Sequence, residues 1–242
     1  MAPDLQPLRK RCSGISAGLF AASSGRLEAA ADQLRHWGGG IVHFDVMDGE
    51  FVPQITGGPA FLAVSHNSLL RDVHLMVALP ERQIEAFARA GADILTVHAE
   101  AAGAAAALAA IRAVSERLGR AILAGLAVMP GTALEQLEPL LALQPDLILV
   151  LSLDPRNSLP ADLPAACARL AALRAGAAAG TVFAIDGGIT EATVAQAAAC
   201  GPDVIVSGSA IFGAADPAAA FGRLTDAWAE GRRKLAEAAD GR

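Results

Sequence analysis

Eight short runs rich in valine, isoleucine and leucine alternate with longer alanine-rich segments, a pattern that predicts an α/β chain of repeated βα units closed as a TIM (β/α)8 barrel. Two further observations predict a single domain. The 242 residues contain no Pro/Ser/Gly-rich linker, and α/β barrels routinely fill about 250 residues as one unit. Residues 1–10 read as an N-terminal extension and residues 11–242 as the barrel.

The first strand, 11–16, opens on arginine and is the least strand-like of the eight. A helix over 26–37 leads to Ile41–Met47, whose unbroken apolar character suits a strand buried on both faces. A helical segment at 59–67 precedes the third strand, 72–77, and a helix at 80–90 begins on Pro80, a residue suited to a first helical turn. Gly91 ends that helix in the position that favours a left-handed backbone, and Ile94–His98 follows. Next come a helix at Ala104–Leu118, a strand at 121–128, a helix at 133–143, Leu147–Leu151 as strand six and a helix at 163–175. Val182–Asp186, a helix at 190–200 ended by Gly201, a strand at 204–208 and a helix at 217–237 begun by Pro217 complete the barrel. An open doubly wound sheet is the alternative, but it gathers function at one switch point. Here polar groups end strands two, three and seven, which a closed ring reunites more naturally.

Composition narrows the function. A formal net charge of −6 without a grouped Lys/Arg patch argues against nucleic acid, whose binding draws on clustered cations. No apolar stretch approaches the ~18 residues of a membrane span, and no signal-type apolar segment opens the chain. Cys12, Cys167 and Cys200 are odd in number and scattered, implying free thiols in a reducing compartment, with the cytoplasm as the expected location.

Strand two reads His43-Phe44-Asp45-Val46-Met47-Asp48-Gly49, strand three Asp72-Val73-His74-Leu75-Met76, and strand seven ends Ile185-Asp186-Gly187-Gly188. Side chains two apart share a face, so His43, Asp45 and Met47 point together into the barrel mouth. His74 and Asp186 end strands that reach the same mouth. Charged groups are expensive to bury without a partner. Two imidazoles and two carboxylates therefore make a candidate ligand set for one divalent metal ion, Zn²⁺, Fe(II), Mn²⁺ or Co²⁺. Asp48 is expected to bind turn amides, His98 to be structural or at the substrate rim, and His36 and His66 to lie on the surface.

The stretch from His43 through Glu50-Phe51-Val52-Pro53-Gln54-Ile55-Thr56, together with Asp72-Val73-His74-Leu75-Met76-Val77 and Ala92-Asp93-Ile94-Leu95-Thr96-Val97-His98-Ala99-Glu100, resembles the ribulose-phosphate 3-epimerase family from about Ser13 to Gly213. The resemblance implies a TIM barrel and a divalent metal held by His43, Asp45, His74 and Asp186. It also implies that Asp45 and Asp186 carry protons to and from carbon 3 of a ketose phosphate, D-ribulose 5-phosphate giving D-xylulose 5-phosphate. Inversion beside a ketone removes a proton from one face and returns one to the other, so two carboxylates and a cation that offsets the enediolate charge suit it. His74 would also face the substrate. Met47 and Met76 either line the reacting centre or simply fill the barrel.

Gly187-Gly188 and Gly208-Ser209, before a short helix, match the family's phosphate-binding amides. Ser13 either contacts a substrate hydroxyl or merely starts the first strand, where the family's aspartate is replaced by Gly18. After strand six the family's Asn-Pro-Gly-Phe-Gly-Gly-Gln is replaced by Asp154-Pro155-Arg156-Asn157-Ser158-Leu159-Pro160, leaving Arg156 as a phosphate ligand or a solvated charge. Met129 stands for the family's asparagine after strand five, and Leu151 for its third methionine; both are expected to line the site. The resemblance implies a small-molecule sugar phosphate as partner and suggests a homo-oligomer, dimer or hexamer. The other readings are epimerisation of an unphosphorylated or different ketose, and a non-catalytic sugar-phosphate-binding barrel.

Overall fold

The computed structural model describes residues 2–64, 68–157 and 159–240. In chain order they form α1 (Gln6–Arg11), β1 (Gly14–Gly18), α2 (Leu27–His36), β2 (Ile41–Met47), β3 (Leu70–Met76), α3 (Ile84–Arg89), β4 (Ile94–His98) and α4 (Ala104–Leu118). There follow β5 (Leu123–Val128), α5 (Leu134–Leu141), β6 (Leu147–Leu151), α6 (Leu163–Gly176), β7 (Val182–Asp186), α7 (Val194–Ala199), β8 (Val204–Ser207), α8 (Ser209–Phe212) and α9 (Pro217–Asp240). The eight strands are parallel and paired in sequence order, and β1 closes on β8 through Gly14↔Val204 to Ala17↔Ser207. The sequence-predicted barrel is therefore the fold observed.

Strand alternation divides the core in two. Ile41, Leu70, Ile94, Leu123, Leu147, Val182 and Val204 point inward, while Val42, Phe44, Val73, Leu75, Val97, Leu126 and Ile205 point outward against the helices. His43 and Asp45 continue the inward phase set by Ile41, one and two layers higher. Phe44 takes the opposite phase, fully buried and edge-to-face with Phe20 at 5.8 Å. Phe44→Ala is expected to cost about 3–5 kcal/mol of stability through lost contacts and the cavity it leaves. Urea unfolding checks this, and a loss under 1 kcal/mol would show the outer layer to be loosely packed.

The departures from the expected elements have local causes. Pro7 lies in the first turn of α1, which takes up Arg11 and moves the first strand from 11–16 to Gly14–Gly18. Leu8 of α1 packs under the barrel interior, and Arg9 bridges to Asp146, whose other oxygen accepts the Ala124 amide. The expected helix at 59–67 is a 3-10 segment, Pro59–Val64; Ser65, His66 and Asn67, with the surface expectation for His66, lie outside the described residues. The helix expected at 190–200 begins only at Val194. The Thr193 hydroxyl accepts the Thr190 amide and donates to the Gly188 carbonyl, holding 188–193 as a loop.

The expectation of three free thiols fails for two of them: Cys167 on α6 and Cys200 just after α7 form a disulfide across 33 residues. Right-handed winding sets successive helices side by side, which brings these Cα atoms to 5.4 Å. Cys12 remains free and buried. Burial, reinforced by the charge of Asp72, pushes its thiol up to about 12. A thiol reagent should thus find no fast-reacting cysteine in the native protein, one after denaturation and three after denaturation with reduction. Two fast thiols in the native state would contradict this pairing. Among the described residues no helix is long and apolar enough to cross a membrane.

Candidate active site

The site is built at the C-terminal ends of β2, β3 and β7, where barrel strands deliver side chains to a common mouth. Parallel pairing places Asp45 opposite His74 and His43 opposite Asp72. Pairing of β6 with β7 carries Asp186 to the rim beside Leu151. The end of β2 is pinned by Thr56, whose hydroxyl accepts the Met47 amide at 2.9 Å and donates to the Asp45 carbonyl at 2.6 Å. Asp48 accepts the amides of Glu50, Phe51 and Ala78, and these outweigh the modest cost of burial to hold its carboxyl below the usual range.

His43, Asp45, His74 and Asp186 each offer one ligand atom, and all four atoms lie within 4.8 Å of one another. His43 Nε2 and His74 Nδ1 each stand 3.1 Å from Asp45 Oδ1, and His74 Nδ1 stands 3.7 Å from Asp186 Oδ2. Both imidazoles are buried, whereas the two carboxylates stay partly open to the mouth. The donor set of two nitrogens and two oxygens fits a borderline divalent cation, and each imidazole turns one nitrogen into the cluster because the other is already engaged. His43 Nδ1 is 2.7 Å from Asp72 Oδ2, and His74 Nε2 is 2.8 Å from His98 Nε2.

The two carboxylates are pushed in opposite directions. Burial raises Asp45, but His43 and His74 on either side outweigh it and hold the group below the usual range. Burial and then the charge of Asp45 raise Asp186, which only its own neighbouring amide and the imidazoles offset. His43 would be lowered by burial alone, yet the carboxylates of Asp72 and Asp45 hold it well above its ordinary value. The ionisation of each group is thus set by its neighbours, and a cation bound among them would favour the ionised form of both carboxylates.

Two cavities meet there. A chamber of about 150 Å³ is lined by Asp45, His74 and Asp186 with Met47, Met76 and Leu151. A wider one of about 430 Å³ runs from Asp45 and Asp186 to Gly187, Gly188, Gly208 and Ser209, past Gln54 and Thr56. Gly187 and Gly188 both have positive φ, and a Cβ on Gly188 would meet Ala161 at 2.5 Å, so only glycine brings the backbone this close.

Three of the expected residues stand apart. Ser13 is exposed ahead of β1 at the opposite end of the barrel, a correction that follows from the shifted first strand; Ser16 takes the inward position and donates to Asp72 at 2.9 Å. Met129 is buried outside both cavities, and its amide donates to Glu100. Arg156 is exposed and folded back on Asp154 in a two-pronged pair at 2.9 and 2.7 Å. His36 lies on the surface. Sequence reasoning gave no role to Asp72, although its spacing two before His74 puts it on the same inward face.

The family model described as the ribulose-phosphate 3 epimerase family matches residues 14–212. A ribulose-phosphate 3-epimerase of Mycobacterium bovis is 39% identical over 222 residues, covering 87% of this chain and 90% of its own. That of Treponema pallidum is 36% identical over 208 residues, covering 84% and 93%. A crystal structure of 3-hexulose-6-phosphate synthase superposes with a TM-score of 0.67 at 21% identity, covering 88% of this chain and 99% of that one, a likeness of fold. This chain belongs to the ribulose-phosphate 3-epimerase family, and is an isomerase of the carbohydrate epimerase class.

Proposed function

We propose that the protein inverts carbon 3 of a ketose phosphate, D-ribulose 5-phosphate or a near relative, using Asp45 and Asp186 as the proton-transfer pair. The observation that carries this reading is the convergence of two carboxylates and two imidazoles within 4.8 Å at the floor of a substrate-sized cavity. His43, Asp45, His74 and Asp186 would hold one divalent metal ion of the Zn²⁺, Fe(II), Mn²⁺ or Co²⁺ type. Bound there, the cation supplies Lewis-acid stabilisation of negative charge developing beside the reacting carbon.

The residues divide the work by position. Asp45 comes from β2 and Asp186 from β7, so a sugar lying between them presents opposite faces of one carbon to two carboxylates. One takes the proton from its face and the other returns a proton to the other face, with the roles exchanged in reverse. Met47, Met76 and Leu151 line the inner chamber with apolar surface, which keeps water from the reacting carbon and strengthens the local electrostatics. The amides of Gly187, Gly188, Gly208 and Ser209 would receive the phosphate.

One observation favours a second substrate reading. Among the described residues no lysine or arginine lines the 430 Å³ cavity, and Arg156 is committed to Asp154 in the loop where the family pattern carries glycines. That supports a shifted preference toward a different or unphosphorylated ketose. Exchange of solvent deuterium into carbon 3 tests both: the main reading expects exchange and epimer formation with ribulose 5-phosphate, at kcat/KM well above that for free ketoses. Equal values would favour the second reading. Binding without exchange would indicate a non-catalytic barrel.

A further inference from the structure

Behind His74 lies a chain of polar groups, His98 and Glu100, that lines neither cavity at the mouth. His74 Nε2 is 2.8 Å from His98 Nε2, and His98 Nδ1 is 3.1 Å from Glu100 Oε2. The other Glu100 oxygen accepts the Met129 amide at 3.0 Å and the Thr132 hydroxyl. His74 and His98 are fully buried, their rings stacked at 4.9 Å, and Phe51 packs on the outer face of His98 at 4.8 Å.

The protons in this chain can be placed by elimination. A carboxylate only accepts, so His98 carries its hydrogen on Nδ1 and presents a lone pair at Nε2. That lone pair requires a hydrogen on His74 Nε2, which leaves the His74 Nδ1 lone pair aimed at Asp45 and Asp186. The tautomer a metal needs at His74 is thus dictated from Glu100, two side chains away. The second histidine is served more directly: His43 Nδ1 donates to Asp72, which also accepts from Ser16.

We propose that His98 and Glu100, anchored by Met129 and Thr132 of the loop after β5, are positioning residues that fix the ring orientation and tautomer of His74 for cation binding. The proposal rests on the reading of His74 as a metal ligand. Outer partners of ligating histidines commonly govern metal affinity by 10- to 100-fold, and this pair fills that place while lining neither cavity at the mouth.

The test is Co²⁺ affinity, measured by competition with a chelating dye, together with the visible spectrum of bound Co²⁺, on metal-free wild type and variants. His98→Leu removes the acceptor for His74 and is expected to weaken Co²⁺ binding by about 10- to 100-fold and alter the spectrum. His98→Gln, whose amide oxygen can accept from His74 while its amide nitrogen donates to Glu100, should recover most of the affinity and the wild-type spectrum. Should His98→Leu fail to fold, Glu100→Gln decides, with weakened binding expected. Wild-type affinity and spectrum in a folded His98→Leu or, failing that, Glu100→Gln protein would overturn the proposal while leaving the metal site intact. Failure of wild type itself to bind Co²⁺ would overturn both.

Discussion

Asp186→Asn is expected to lower kcat for epimerisation by about 10²–10⁴-fold, the range for loss of a positioned acid or base. The amide keeps the shape of the carboxylate but neither takes up nor releases a proton near neutral pH. The fold should tolerate the change, because Asp186 ends β7 at the rim and its strand neighbours are held by backbone pairing to β6 and β8. A circular dichroism melt close to wild type, in a variant confirmed to hold Co²⁺, alongside the lost turnover would assign the effect to proton transfer. Turnover within tenfold of wild type would remove Asp186 from the reaction. Asp45→Asn should be at least as damaging, since both imidazoles converge on Asp45 Oδ1.

Removal of divalent metal by a chelator, followed by dialysis, is expected to abolish turnover, and Co²⁺, Mn²⁺, Fe(II) or Zn²⁺ should restore it. The physical cause is the proximity of the two carboxylates: burial and then the charge of Asp45 raise the Asp186 carboxyl above its usual range, and a cation bound between them would favour the ionised form that acts as a base. Thermal stability should follow the same ligand. A cation at 100 times its Kd adds about 2.7 kcal/mol to the folded state by mass action, visible as a rise in Tm on titration. Full turnover in protein shown by elemental analysis to be metal-free would contradict the assignment, as would a Tm indifferent to all four ions.

Much of this was legible in the residues because barrel strands impose a strict two-residue phase. Ile41, His43 and Asp45 share that phase, as do Asp72 and His74, so the inward-facing polar set on β2 and β3 could be read without knowing the fold in detail. Asp186 needed only the closure of the ring. What failed depended on phase origin or on contacts between distant segments. The substrate-contact reading of Ser13 rests on the match to the family's first-strand pattern; the α1 turn carries the chain through Arg11 and starts the strand at Gly14, which leaves Ser13 ahead of it and Ser16 facing inward. The Cys167–Cys200 bridge depends on how α6 and α7 stand side by side, and spacing alone says nothing of that. His98 ended its strand without a visible partner in sequence. Its contact with His74 appears only when β3–β4 pairing sets His74 beside Thr96 and brings the two rings together. The sequence leaves Arg156 open to solvent or phosphate, while its partner Asp154 stands two residues before it.

The most direct test of the central claim, that two carboxylates address opposite faces of one carbon, is deuterium exchange by the Asp45→Asn and Asp186→Asn proteins, each reloaded with Co²⁺ and confirmed to hold it. Each variant retains one base. Each should therefore exchange the carbon 3 hydrogen of one epimer and not the other, the two variants choosing opposite epimers, with no net interconversion by either. Exchange of both epimers by a single variant, or the same epimer favoured by both, would show that the two aspartates do not divide the faces between them.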